Sequence, residues 1–124
     1  GNPAIVLCEG ESAPGRLAVV DAIGQPPRVL ADDLFHPHSL QIADMDRDGC
    51  PDIVVGEMGL GKHSEPRLMI FYGRADGTFS REIVCEGVPT HEAKVADLTG
   101  NGYPDIVGKP YHPERHVDVW LNHD

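Results

Sequence analysis

The stretch HSLQIADMDRDGCPDIVVGEMG at 38–59 returns without a gap as HEAKVADLTGNGYPDIVGKPYH at 91–112. Asp44 falls over Asp97, Gly49 over Gly102, and Pro51-Asp52-Ile53-Val54 over Pro104-Asp105-Ile106-Val107, so the period is 97 − 44 = 53 residues. A chain that repeats at such spacing builds one supersecondary unit several times and stacks the copies, because a single unit cannot bury its own apolar face. An earlier copy opens at Pro3, where PAIV stands in for PDIV, and its RLAVVDAIGQPPRVLADD corresponds to RLMIFYGRADGTFSREIV. The last copy reaches only HVDVWLNHD. The 124 residues therefore form one segment, 1–124, of roughly two and a half units, with approximate bounds 3–50, 51–103 and 104–124.

Each unit reads as strands. PAIVLC, RLAVVD, RVLA, SLQIAD, DIVVGE, RLMIFYG, FSREIVC, EAKVAD, PDIVGK and HVDVWL are short runs, most of them rich in Val and Ile, and no stretch has the 3.6-residue periodicity of a helix. Fourteen Gly and eleven Pro punctuate them, and Asp76-Gly77 marks a hairpin turn. The fold class expected is all-β, with four-stranded antiparallel sheets arranged as propeller blades. A closed propeller needs about four blades or more, so the chain is expected to be a fragment of a larger propeller or to be completed by oligomerisation. The stop at Asp124, where the alignment calls for a further strand, favours a fragment.

Charge narrows the partners. Twenty acidic against ten basic residues leave a formal charge of −10, which repels phosphate backbones and anionic lipid. Nucleic acid is excluded as a natural partner. No apolar run nears the roughly 20 residues that span a bilayer, and the N-terminal residues lack a signal core, so no membrane insertion is expected and any export signal lies outside the chain. Cys8, Cys50 and Cys85 have no CxxC spacing. The plain reading places Cys8 and Cys85 in strands as small apolar residues and Cys50 in a loop, with one disulfide left open.

The acidic residues are not spread evenly. Asp44, Asp46 and Asp48 occupy positions 1, 3 and 5 of a loop, Gly49 position 6, the Cys50 carbonyl position 7 and Asp52 position 9. Calcium takes six to eight oxygen ligands, and alternate residues of a tight loop aim their oxygens at one centre. Without a cation, four carboxylates so crowded repel one another by about 1 kcal/mol per close pair even in a water-like dielectric. Position 12 is Val55 and both flanks are strands, which excludes a helical EF-hand. The second copy offers Asp97, Thr99, Asn101, the Tyr103 carbonyl and Asp105, so every donor position is kept but with two formal charges in place of four. One or two calcium ions are expected, the second held more weakly.

At these residues the sequence resembles the FG-GAP/VCBS repeat family, the blades of integrin α-subunit propellers and of many secreted bacterial proteins. DMDRDGCPDI and DLTGNGYPDI, each after an AD strand end, carry the resemblance, which extends over nearly the whole chain. It implies a β-propeller whose calcium loops tie strands within a blade, with the ligand positions falling on Asp44, Asp46, Asp48, Cys50 and Asp52, and on Asp97, Thr99, Asn101, Tyr103 and Asp105. It also implies an extracellular or cell-surface setting, where millimolar calcium suits weak sites. The second loop departs from the family pattern in lacking Asp at positions 3 and 5.

Four further residues invite a ligand-site reading. His38 and His91 recur in register before the metal loops, and Glu57 and Lys109 are read as in register after them, so the four are candidates for a polar ring at one end of a central channel. The alternative is that the histidines hydrogen-bond backbone between blades. Tyr111, His112, Arg115 and His116 lie on one long connection, and Trp120 reads as core. Three functional readings follow. The favoured one is a non-enzymatic, calcium-stapled module for adhesion, ligand binding or assembly, with a protein or carbohydrate partner. The others are the propeller part of a carbohydrate-active enzyme such as a polysaccharide lyase, and a self-assembling surface or filament subunit. No nucleophile triad, phosphate loop or zinc motif supports catalysis.

Overall fold

The computed structural model describes Pro3, 5–60 and 65–123; Ala4, within the first expected strand, and the terminal Asp124 lie outside the described residues. Ten strands follow in order: β1 Ile5–Cys8, β2 Gly15–Val20, β3 Arg28–Leu34, β4 Pro37–Ala43, β5 Asp52–Glu57, β6 Arg67–Gly73, β7 Phe79–Glu86, β8 Glu92–Ala96, β9 Asp105–Lys109 and β10 Asp118–Trp120. No helix occurs among the described residues. Three separate antiparallel sheets result, β1-β2-β3, β4-β5-β6-β7 and β8-β9-β10. The chain is thus one complete four-stranded blade flanked by two three-stranded ones.

The sheets are phased differently from the repeat units taken from the sequence. A periodic pattern has no intrinsic starting point, whereas hydrogen bonding cuts it at the short connections 35–36 and 87–91. The complete sheet runs from Pro37 to Glu86, so the acidic loop lies inside a blade, between β4 and β5.

The period-2 alternation of the central sheet explains how three sheets stack. Ile53, Val55, Met69 and Phe71 point to one face, where they pack with Leu17, Val19, Ala31 and Leu34 of the first sheet. Val54, Leu68 and Ile70 point to the other face and meet Ala93 and Ile106 of the third sheet, with Met45 of the acidic loop beside them and Trp120 packed at the edge. Every residue of β5 is buried, as a strand covered on both faces requires. The outer strand β7 is mostly exposed.

Polar ties cross both junctions. Arg81 of β7 forms two hydrogen bonds to Asp33 of β3, at 2.9 and 3.0 Å, joining the first two sheets. Between the second and third sheets the Ser39 hydroxyl accepts from the Ala93 amide at 2.9 Å. The Asp76-Gly77 hairpin forms as expected, with Gly77 at φ 87° closing the turn from Arg74 to Thr78. All three cysteines are free and half-buried, and Cys8 donates to the Pro37 carbonyl.

Candidate metal centre

The first acidic loop is shaped by its own side chains. The Asp44 carboxylate accepts from the amides of Asp48 (3.1 Å) and Gly49 (2.9 Å), Asp46 accepts from Asp48 (3.3 Å), and Asp48 accepts from Cys50 (2.8 Å). Aspartate readily closes such turns by accepting from amides two to five residues ahead. Gly49 supplies the left-handed backbone, φ 89°, that reverses the chain, and Arg47 is also left-handed at φ 60°.

As a result, Asp44, Asp46 and Asp48 each bring a carboxylate oxygen within 4.8 Å of the others. Oxygens bound to one calcium at about 2.3–2.6 Å lie no farther apart than about 5 Å, so the three fit around one ion. No Lys, Arg or His among the described residues pairs with them. Burial pushes the Asp46 carboxyl above the usual range, and the charges of Asp48 and Asp44 push it further. Hard, negative, uncompensated oxygens on a preformed turn suit a hard divalent cation.

Asp52 stands apart from the three. It is fully buried, one oxygen accepting from the Met45 amide at 2.7 Å and the other from Gly73 at 2.9 Å. It clips the start of the loop to the end of β6. Gly73 is required there, because a Cβ would strike the Pro51 carbonyl oxygen. Burial raises the Asp52 carboxyl above its ordinary value, against the opposing pull of the two amides.

The second loop repeats this architecture with other side chains. Asp97 accepts from Gly100 and Gly102 at 2.8 Å each, Thr99 from Asn101 at 3.4 Å and Asn101 from Tyr103 at 3.0 Å. Asp105 accepts from Leu98 at 2.8 Å and Asn122 at 2.7 Å, the same clip as Asp52. Those amide bonds hold its carboxyl below the usual range. Neutral Thr99 and Asn101 leave this loop without a carboxylate triad.

The four candidate ring residues do not form one ring. His38 and His91 meet face to face, ring centroids 4.3 Å apart and planes 18° from parallel, and His38 Nδ1 donates to the His91 carbonyl at 3.1 Å. Tyr111 packs against His91 at 4.9 Å, and Glu11 lies 3.4 Å from His38 Nε2. The histidines therefore bond between blades. Burial, then the neighbouring His38 and Lys109, hold the His91 imidazole below its ordinary value.

Glu57 is not beside them. Its carboxylate is fully buried against the Arg67 guanidinium, with bonds of 2.9 Å from Nε and Nη2, and it accepts from the Phe35 and Arg67 amides. Lys109 is exposed, its Nζ 4.0 Å from Glu92. The reading of Glu57 and Lys109 as equivalent is off by one residue: a period of 53 places Lys109 over Gly56 and Pro110 over Glu57. In a strand, one residue reverses the face.

Sequence reasoning passed over Arg67 and Asn122. The Arg67 guanidinium pairs with the buried Glu57 carboxylate, and its only signal was a lone Arg opening an apolar strand. Burial alone would raise Glu57, but the Arg67 bonds outweigh it and hold the carboxyl below its usual range.

The fold and the loop together define a protein of the propeller-blade class with a cation-type acidic turn inside its complete blade. The FG-GAP-like repeat family model matches residues 44–108, more than half of the chain, and the chain belongs to that family. It is also similar to integrin alpha-IIb from Homo sapiens, at 31% identity over 78 residues. That match covers 56% of this chain and 8% of the integrin, so the chain spans less than a tenth of that relative's length. No solved structure gives a significant match.

Proposed function

We propose that the chain is a calcium-stabilised, non-enzymatic propeller segment, placed outside the cell or on its surface, that serves adhesion, ligand binding or assembly. The observation that carries this reading is the cluster of three carboxylates at Asp44, Asp46 and Asp48, which no Lys, Arg or His among the described residues pairs with. A cation bound only by the folded chain contributes RT ln(1 + [L]/Kd), about 2.7 kcal/mol at a hundredfold excess. The likeness to an integrin α subunit supports the surface setting, and no helix among the described residues is long and apolar enough to cross a membrane. Cys50 and Asp52, and the second-loop set Asp97, Thr99, Asn101, Tyr103 and Asp105, complete the proposed ligand positions. Protein or carbohydrate is the proposed partner. The test is calorimetric titration of chelator-stripped chain with calcium: binding abolished at the first site by Asp46→Ala supports the reading, and a wild-type chain that evolves no heat removes it.

A specific observation favours assembly with further blades. The outer face of the first sheet exposes Ile5, Leu7 and Val29, and that of the third exposes Val117, Val119 and Leu121. In the repeat Ile5 is the counterpart of Ile53, and Val119 that of Ile70, both buried in the central blade. Faces that are covered in one copy call for cover in the others. Sedimentation in calcium measures it, and a clean monomer of the full-length protein with no further blades would count against self-assembly.

A further inference from the structure

The residues between the candidate ligands point away from the clustered carboxylates and toward the neighbouring blade. Met45, between Asp44 and Asp46, is 2% exposed and packs in the core shared with Ala93 and Ile106 of the third sheet, where Trp120 also lies. Arg47, between Asp46 and Asp48, reaches the second loop. Its guanidinium carbon sits 5.5 Å from the Tyr103 ring centroid, and its Nη1 fills the space a Cβ on Gly102 would need. Asn122 closes the link. Its side-chain amide donates to the Met45 carbonyl at 2.8 Å, its backbone amide to Asp105 at 2.7 Å, and its carbonyl accepts from Asn101 at 2.7 Å.

The geometry points to a clamp between blades. We propose that a cation held by Asp44, Asp46 and Asp48 fixes Met45 and Arg47 against the third sheet, with Asn122 and Arg47 as the positioning residues that carry occupancy of the first loop to the next blade. This rests on the calcium reading of the first loop. The alternation of ligand and non-ligand residues supplies the mechanism: ordering positions 44, 46 and 48 around an ion necessarily orders 45 and 47. Coupling of this kind needs one element with contacts to both sides, and Asn122 touches both loops.

Trp120, the sole tryptophan, sits on the third sheet and reports the effect. The chain is titrated with calcium while heat and Trp120 emission are followed together. In the wild type the emission change is expected to saturate with the first-loop heat, and to survive Asp97→Ala, which weakens the second loop. In Asn122→Ala/Arg47→Ala the heat is expected to persist, with Kd within about threefold, while the emission change is lost. Arg47→Gln alone, at an exposed side chain, is expected to diminish it. An undiminished emission change in these variants, with heat intact, overturns the clamp and leaves the calcium reading standing. A wild-type chain without heat overturns both.

Discussion

The loops 44–52 and 97–105 share a backbone and differ in charge. Both close on three equivalent turn bonds, both place a glycine at φ 89°, and both end in a buried aspartate that clips the loop to the end of the third strand of its sheet or just beyond it. Yet one carries three clustered carboxylates and the other Asp, Thr and Asn. The turn is therefore a folding device that stands without the acids, and the additional acids at 46 and 48 are a load on it. Like charges crowded on a turn that does not need them suggest a bound cation as their reason.

The sharpest way to break this comparison is at the two clips. The donors to Asp52 are buried, whereas those to Asp105 are partly open to water. Orphaning two buried amides in Asp52→Ala is expected to lower stability by about 4 kcal/mol, against about 2 kcal/mol for Asp105→Ala. Urea denaturation measures both, and equal losses would mean that the flanking blades do not shield the central one.

A second difference lies just after the loops, where the first copy has Glu57 and the second Pro110. Arg67→Ala removes the guanidinium bonds from the buried Glu57 carboxylate, at an expected loss of about 3 kcal/mol. Because Glu57 titrates below its usual value when folded, its contribution is fully present above the ordinary glutamate range and fades as pH falls through and below that range. Glu57→Gln should accordingly flatten the acid limb of stability against pH, and an unchanged limb would contradict the pairing.

The alternating strands, the hairpin at Asp76-Gly77 and the acidic loop were all legible in the sequence, because each depends on local chemistry: side-chain periodicity, a left-handed glycine, oxygen donors at fixed spacing. Asp52 was read as a ligand from its spacing and from the resemblance, and its clip to Gly73 was not legible because Gly73 lies 21 residues on, at the end of the neighbouring strand β6. Glu57 and Lys109 were read as a pair because their offsets differ by one, a slip that strand parity turns into opposite environments. Asn122 carried no local signal, since its bonds reach Met45, 77 residues earlier.

Smaller effects sharpen the backbone likeness. Gly49→Ala and Gly102→Ala both force an L residue into the left-handed region, at about 1–2 kcal/mol each. A Cβ at Gly49 has nothing within 4 Å, but one at Gly102 must displace the Arg47 guanidinium. Thermal denaturation should therefore show Arg47→Ala softening the Gly102→Ala loss and leaving the Gly49→Ala loss unchanged. Smaller still is the His91 effect. Its imidazole titrates low in the fold, so its contribution is present above the ordinary histidine value and lost as pH falls through it. His91→Gln should remove that part of the slope near pH 6, and an identical slope in both proteins would argue against it.

The most direct measurement is calorimetry of calcium binding to chelator-stripped chain, with Asp46→Ala and Asn101→Ala beside the wild type and melting followed in parallel. The account expects a tighter site lost in Asp46→Ala and kept in Asn101→Ala, with a melting temperature that rises with calcium in the wild type. Equal binding in all three proteins, or no heat and no change in melting, would contradict it, and the acidic residues of the first loop would then serve only to close a turn.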